Sequence, residues 1–185
     1  DELRRQRQMC IRDRYLIVKE IIKNYSDFII TFCAFIVVVG QYYLENIVGL
    51  EPCNLCILQK LSAQIVFIIF LLKLIIPKFK YLFDIFGASV LFFGLSASSR
   101  QIYLQNLPKD ELAAGVCDIP FEFLFNMYPF FEALGKVFQG SSKCAEESWS
   151  FIGLNIPEWA TVFFASMILL ILLRYVLTNL KGHTK

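Results

Sequence analysis

Four cysteines are the residues with which this sequence could do chemistry. Cys53-Asn54-Leu55-Cys56 is a C-x-x-C pair set directly before a long apolar run, with Pro52 ahead of it as at a helix start. Cysteines at the N-terminal end of a helix feel the positive end of its dipole, which favours thiolate over thiol. Lys60 follows Cys56 by four residues and shares its helix face one turn on. Its ammonium would stabilise a Cys56 thiolate and could donate to a carbonyl oxygen of a bound electron acceptor. The plainer alternative is a lysine snorkelling to the membrane surface. Cys117 and Cys144 make a second pair around an aromatic stretch. By themselves they would be a staple in an outer loop. Beside a C-x-x-C they suggest a relay, in which thiol–disulfide exchange passes oxidising equivalents through mixed disulfides.

Other chemistries fit less well. Four thiolates could ligate zinc, but only one knuckle-like pair is present and Cys117 and Cys144 are far apart, so no metal is expected. The single histidine, His183, sits in the basic C-terminal tail, which disfavours imidazole catalysis. Cys10 lies in a basic arm and is expected to have no function, and Cys33 reads as a small apolar filler within a span. Arg100, in Ser98-Ser99-Arg100-Gln101, is a charge near the outer end of an apolar block. It is expected either to help shape a polar, cofactor-binding pocket near Cys56 or to snorkel to the headgroups. Asp84 is expected to be interfacial.

The elements that must position these residues are membrane spans. Hydrophobic residues make up 57% of the 185 and charged residues 18%, against about 45–50% and about 25% in soluble domains. The excess is concentrated in four blocks, at about 28–49, 57–76, 81–104 and 159–178, each near the roughly 20 residues a helix needs to cross the hydrocarbon. The expected fold class is an all-α membrane protein: a four-transmembrane-helix bundle whose long outer loop carries a short interfacial helix. Residues 1–26 form a polar N-terminal segment, of which 1–14 are set apart as non-native in character because 4–14 resembles translated adapter sequence; no signal peptide is expected there. Residues 27–180 form the membrane domain and 181–185 a tail. Lys19 and Lys23, then Lys73, Lys78 and Lys80, then Arg174, Lys181 and Lys185 all fall on one side, which the positive-inside rule makes the cytoplasm. The loops 50–56 and 105–158 then face outward, carrying Cys53, Cys56, Cys117 and Cys144 into a compartment that permits disulfides. Within the long loop, Phe121, Phe123, Phe125, Tyr128, Phe130, Phe131 and Phe138 are interrupted by Pro120 and Pro129. They read as an interfacial amphipathic helix or as a small aromatic core folded over the bundle.

Taken together these motifs resemble the DsbB family of disulfide bond formation proteins. Cys53-Asn54-Leu55-Cys56-Ile57 looks like the family's first redox pair, Cys117-Asp118 and Cys144-Ala145-Glu146 like its second, and the segment from Trp149 through Ser150, Phe151, Ile152, Gly153, Leu154, Asn155, Ile156, Pro157 and Glu158 to Trp159 like the approach to its last span. The similarity covers the chain from about Asp27 to the C-terminus. It implies a quinone-dependent thiol oxidase of the bacterial inner membrane, with its cysteines on the periplasmic side. A reduced DsbA-like periplasmic protein would attack a Cys117–Cys144 disulfide at Cys117, Cys144 would exchange with Cys53–Cys56, and Cys56 would pass electrons to ubiquinone or menaquinone. A DsbA-like oxidant stands near about −120 mV, so only a stronger oxidant such as a quinone can recharge it. Lys60 departs from the arginine common in the family, keeping the charge and losing the planar fork. The implied partners are the DsbA-like protein, the quinone and the lipid bilayer, with no nucleic acid. Two rival readings are a vitamin K epoxide reductase-like relay, whose C-x-x-C follows the loop pair instead of preceding it, and a non-catalytic scaffold whose disulfides only staple the outer loop.

Overall fold

A computed structural model describes residues 25–107, 119–145 and 149–179; Cys10, Cys117 and His183 lie outside them, as do residues 1–14. The described residues contain four helices long and apolar enough to cross a membrane. They are α1 (Tyr25–Asn46), α2 (Asn54–Ile75), α3 (Lys80–Gln105), entered through a 3-10 turn at Pro77–Phe79, and α7 (Ile156–Asn179). Three short helices, α4 (Phe121–Met127), α5 (Phe130–Gln139) and α6 (Ser142–Ala145), and a two-stranded hairpin, β1 (Ser150–Phe151) and β2 (Leu154–Asn155), lie between α3 and α7. The spans show large apolar side chains such as Phe28, Phe32, Ile68, Phe92 and Leu169 on their outer faces. That suits helices whose solvent is lipid and whose backbone groups must pair internally.

The helix ends differ by a few residues from the hydropathy blocks, each for a local reason. α1 stops at Asn46, whose side-chain amide donates to the Tyr42 carbonyl at 3.0 Å, and Gly49 turns the chain with φ of +77°. α2 begins at Asn54 because Cys53 is its N-cap, its sulfur accepting from the Cys56 N–H at 3.4 Å. The C-x-x-C therefore forms the first turn of the helix instead of preceding it. α7 begins at Ile156 because the Asn155 N–H donates to the Glu158 carboxylate at 2.7 Å, the reciprocal arm of a capping box. The aromatic loop is two helices, since Pro120 and Pro129 each sit at an N-cap position where a missing N–H costs nothing.

Close approach of the spans depends on glycine. A Cβ at Gly94 would lie 2.5 Å from the buried Phe164 ring on α7, and one at Gly87 2.6 Å from the buried Phe70 ring on α2. Small residues at such crossings let helix backbones pack tightly in lipid. One core cluster joins all four spans through Ile30, Ala34, Ala63, Val66, Phe70, Leu91, Phe163, Phe164 and Met167. A second, at the cysteine end, packs Leu124 of α4 and Ala133 and Val137 of α5 against Leu55, Leu58, Ala97 and Leu104 of α2 and α3. Phe123, Phe130 and Phe131 remain exposed on the other face. The loop thus folds over the bundle with small and aliphatic residues and turns several of its aromatics outward.

The opposite end carries an ion cluster that hydropathy alone did not reveal. Lys73, 5% exposed, pairs with Asp27 at 2.7 Å and with Asp84. Arg174 pairs with the same two carboxylates and reaches the Ser26 hydroxyl. Asp84, near the start of α3, is part of this cluster, because two cations from α2 and α7 converge on it. Each of the four spans supplies one charge, two of each sign, so the buried network is neutral.

Candidate active site

The cysteine end is built where α2 and α3 meet α6. As N-cap, Cys53 lies at the mouth of the helix, and the first helical turn brings Cys56 back beside it, the sulfurs 2.9 Å apart. Cys53, Cys56 and Cys144 are all free thiols here. Cys144 is fully buried. It reaches the pair because Gly140 ends α5 with φ of +81°, in a conformation that side chains rarely adopt, and a Cβ there would meet Leu104 Cδ1 at 2.2 Å. The chain then turns into α6, where the Ser141 carbonyl accepts from the Cys144 N–H at 3.0 Å. Cys144 and Cys53 are in hydrogen-bond contact across a large sequence separation.

That contact divides the two thiols electrostatically. The Cys53 thiol hydrogen-bonds the Cys144 sulfur and lowers its pKa from 9.0 to about 6, helped by N–H groups of Ser141 and Leu55 and by the Ser141 hydroxyl at 3.8 Å, against the opposing effect of burial. The pKa of Cys53 is raised, by its hydrogen bonds to Cys144 and then to Cys56, with burial adding to both. Cys144 is thus the thiolate and Cys53 the proton holder.

Two buried amides back the C-x-x-C. Gln101 of α3 and Gln59 of α2 are each 3% exposed. The Gln59 Nε2 group donates to Gln101 Oε1 at 2.7 Å, and Gln101 Nε2 lies 3.3 Å from the Cys56 sulfur and 3.6 Å from that of Cys53. Asn54 ties this end to the loop by donating to the Ile119 carbonyl at 3.0 Å.

On its other side Cys56 opens onto a cavity of about 710 Å³ between α1, α2, α7 and the hairpin. Cys33, Ile36, Val37, Phe163 and Met167 line its apolar depth, and Gln41, Glu45, Gln59 and Lys60 gather near Cys56. Lys60 lines this cavity, and its ammonium is paired with Glu45 at the end of α1. Among the described residues, Gln41 Oε1 is a buried side-chain oxygen with no hydrogen-bond partner. The 149–159 segment supplies the outer wall: Trp149 stacks on Phe151, Trp159 Nε1 donates to the Phe151 carbonyl at 3.0 Å, and Ile152 and Gly153 turn the hairpin with positive φ.

Arg100 is not brought to the cavity. Its Nε and Nη2 groups donate to the carbonyls of Phe138 at 3.1 Å and Gln139 at 3.3 Å. Those last-turn carbonyls of α5 lack helical partners and carry the negative end of the dipole, so they draw the guanidinium away from a pocket role. Arg100 thereby holds α5 on α3 and sets where Gly140 releases the chain towards Cys144. Cys33, expected as filler, both packs on the core and faces the cavity. The amides Gln41, Gln59 and Gln101 and the carboxylate Glu45 were not singled out from sequence. Their signal was polarity inside or at the edge of apolar spans, where an unpaired group is costly.

The chain is similar to known disulfide bond formation proteins. The family model for disulfide bond formation protein DsbB matches residues 24–174. The chain is 34% identical over 141 residues to disulfide bond formation protein B of Marinobacter nauticus, covering 75% of this chain and 82% of that protein. It is 37% identical over 132 residues to the protein of the same name from Chromobacterium violaceum, covering 70% and 76%, and 33% identical over 135 residues to that of Nitrosococcus oceani, covering 71% and 78%.

Proposed function

The chain belongs to the DsbB family of disulfide bond formation proteins, and from that premise we propose that it re-oxidises a DsbA-like periplasmic dithiol protein and delivers the electrons to a membrane quinone. It is a multi-pass membrane oxidoreductase that supports disulfide formation. The bacterial inner membrane, with the cysteine end towards the periplasm, is the setting in which this chemistry closes. Lysines and arginines then cluster at the cytoplasmic end, as the positive-inside rule requires.

The observation that carries the reading is the position of Cys56, with Cys53 and Cys144 behind it and a largely apolar cavity in front. In the proposed sequence the partner's thiolate attacks Cys117 in a Cys117–Cys144 disulfide, and Cys144 leaves as a thiolate that the N–H groups of Ser141 and Leu55 stabilise. Cys144 then attacks Cys53 in the Cys53–Cys56 disulfide and frees Cys56. The partner's second thiolate attacks the partner's own sulfur in the mixed disulfide, displacing Cys117 as a thiolate and releasing the partner in its disulfide form. Return of Cys117 to Cys144 displaces Cys53, leaving the C-x-x-C as a dithiol. Closing it again releases two electrons and two protons, which ubiquinone or menaquinone accepts to become the quinol.

The cavity fits such a ring. Its volume lies in the range of small-molecule sites, and apolar walls with a few polar groups at one end are the usual form of such sites. Lys60 has three donors, and its ammonium, shared with Glu45, is placed to hydrogen-bond a carbonyl oxygen near Cys56. Gln41 offers an unpaired acceptor on the same wall.

Anaerobic mixing of the purified protein with a reduced DsbA-like protein and ubiquinone or menaquinone, followed by quinone absorbance, tests this reading. Wild type is expected to reduce the quinone, and Cys56→Ser to lose turnover while still inserting in the membrane. Ordinary turnover by that variant would remove the model.

A further inference from the structure

The sequence assigns stabilisation of the Cys56 thiolate to the helix dipole and to the Lys60 ammonium. The structure pairs that ammonium with a carboxylate, so its positive charge is largely neutralised. The polar groups that touch the sulfur are uncharged: the Cys53 thiol at 2.9 Å and, from the neighbouring span, the side-chain amide of Gln101 at 3.3 Å.

Gln101 is too buried for its orientation to be casual. It is 3% exposed within a membrane helix, and an amide there is costly unless it is paired. Gln59, equally buried on the neighbouring span, donates to the Gln101 oxygen at 2.7 Å. With its oxygen engaged by Gln59, Gln101 brings its NH2 group closer to the Cys56 sulfur, at 3.3 Å, than its oxygen, at 3.6 Å. Cys56 and Gln59 line the cavity whereas Gln101 does not. The Cys56 sulfur thus has the amide behind it and the cavity in front.

We propose that Gln101, oriented by Gln59, is a catalytic hydrogen-bond donor that holds Cys56 as a thiolate from the side facing away from the cavity. The inference rests on the reading of Cys56 as the electron-donating cysteine. It adds a pair of residues and a physical device: a neutral donor stabilises the anion without burying a second net charge. It also leaves the cavity-facing side of the sulfur open to an acceptor. Because Gln59 touches both the cavity and Gln101, it links the wall of the acceptor site to the donor on the sulfur.

The donor role is read without quinone or partner protein. Reduced full-length protein in detergent is treated with a small alkylating reagent across a pH series, and modification at Cys56 and at Cys144 is read separately by peptide mass spectrometry. A hydrogen bond to a charged group corresponds to roughly a ten- to hundredfold change in the thiolate-to-thiol ratio. Gln101→Leu is therefore expected to move the Cys56 midpoint up by about one to two pH units, with the Cys144 midpoint unchanged. Gln59→Leu, which leaves Gln101 in place but releases its oxygen, is expected to shift Cys56 in the same direction by less. It keeps the test open if Gln101→Leu does not fold. An unchanged Cys56 profile in a folded variant, or equal shifts at Cys56 and Cys144, overturns the proposal. Quinone reduction by wild type alongside an unchanged Gln101→Leu profile would refute the donor role alone. A shifted profile in a protein that reduces no quinone would refute the acceptor reading alone.

Discussion

The contact between Cys53 and Cys144 makes a prediction that can be worked through to a number. The Cys144 pKa of about 6 owes most to the Cys53 thiol that hydrogen-bonds it. At pH 7 about nine-tenths of a thiol with that pKa is ionised, against about one-hundredth of one at 9.0, a difference near ninetyfold in reactive anion. The direction follows from which form the partner stabilises: Cys53 donates, so it favours the charged state of Cys144, and the advantage is present above about pH 6 and fades below it. The perturbation is Cys53→Ala in a background where Cys10, Cys33, Cys56 and Cys117 are serine, leaving Cys144 as the sole thiol. The comparison protein keeps Cys53 and Cys144. Thiolate ultraviolet absorbance followed across pH, under reducing conditions in detergent, reads the ionised fraction directly. The two-cysteine protein is expected to begin ionising near pH 6. Cys53→Ala should move the Cys144 midpoint most of the way towards 9, since only the Leu55 and Ser141 donors remain and burial opposes them. A Cys144 midpoint that stays near 6 in Cys53→Ala would show that the backbone donors suffice, and the sulfur–sulfur contact would lose its assigned role.

Three further outcomes follow from the packing and the charges. Arg100→Ala removes the donors that hold the last carbonyls of α5; in a Cys56→Ser, Cys117→Ser background it is expected to slow formation of a Cys53–Cys144 disulfide several-fold, to at most about tenfold, as read by non-reducing gel shift. Lys73→Met leaves two partly exposed carboxylates facing one guanidinium at the end of the bundle; breaking a fully buried pair costs about 3–5 kcal/mol and an exposed one under about 1, so a loss of about 1–3 kcal/mol is expected. Unfolding of the detergent-solubilised protein should show that loss, and Asp84→Asn added to Lys73→Met should recover part of it. Gly94→Ala drives a methyl group into the Phe164 ring and is expected to destabilise by about 1–3 kcal/mol, seen as a lower thermal midpoint in detergent, whereas the same change at Gly40, where nothing lies within 4 Å, should have little effect.

Much of the site was legible because its chemistry is local in sequence. The C-x-x-C at the head of an apolar block points to a cysteine pair at a helix N-terminus, and the first turn of α2 places the two cysteines there, with Cys53 as the cap. The four blocks became four spans with ends moved by a few residues, since hydropathy averages over a window while Asn46, Cys53 and Glu158 set the ends atom by atom. Lys60 was placed by the helical repeat on the face of Cys56, and both line the cavity. Its partner Glu45 was not foreseen, because it comes from another helix. Arg100 shows the limit more sharply. Its depth in α3 left a pocket role and snorkelling to the headgroups both open, and its direction depends on where α5 presents its carbonyls.

What the sequence by itself determined is therefore what depends on covalent neighbours and on periodicity: the number of spans, the cysteine pair at the head of α2, and the proline breaks in the aromatic loop. Only the tertiary structure decided which distant groups meet: Cys144 against Cys53, Gln59 against Gln101, and four charges at the far end of the bundle. The reason is physical. Helix formation in lipid is imposed on each segment separately by its own backbone, whereas the rotation and depth of one helix against another follow from the packing of Gly87 on Phe70 and Gly94 on Phe164 and from pairing buried polar groups. Those terms involve residues far apart in the chain, and no local pattern records them.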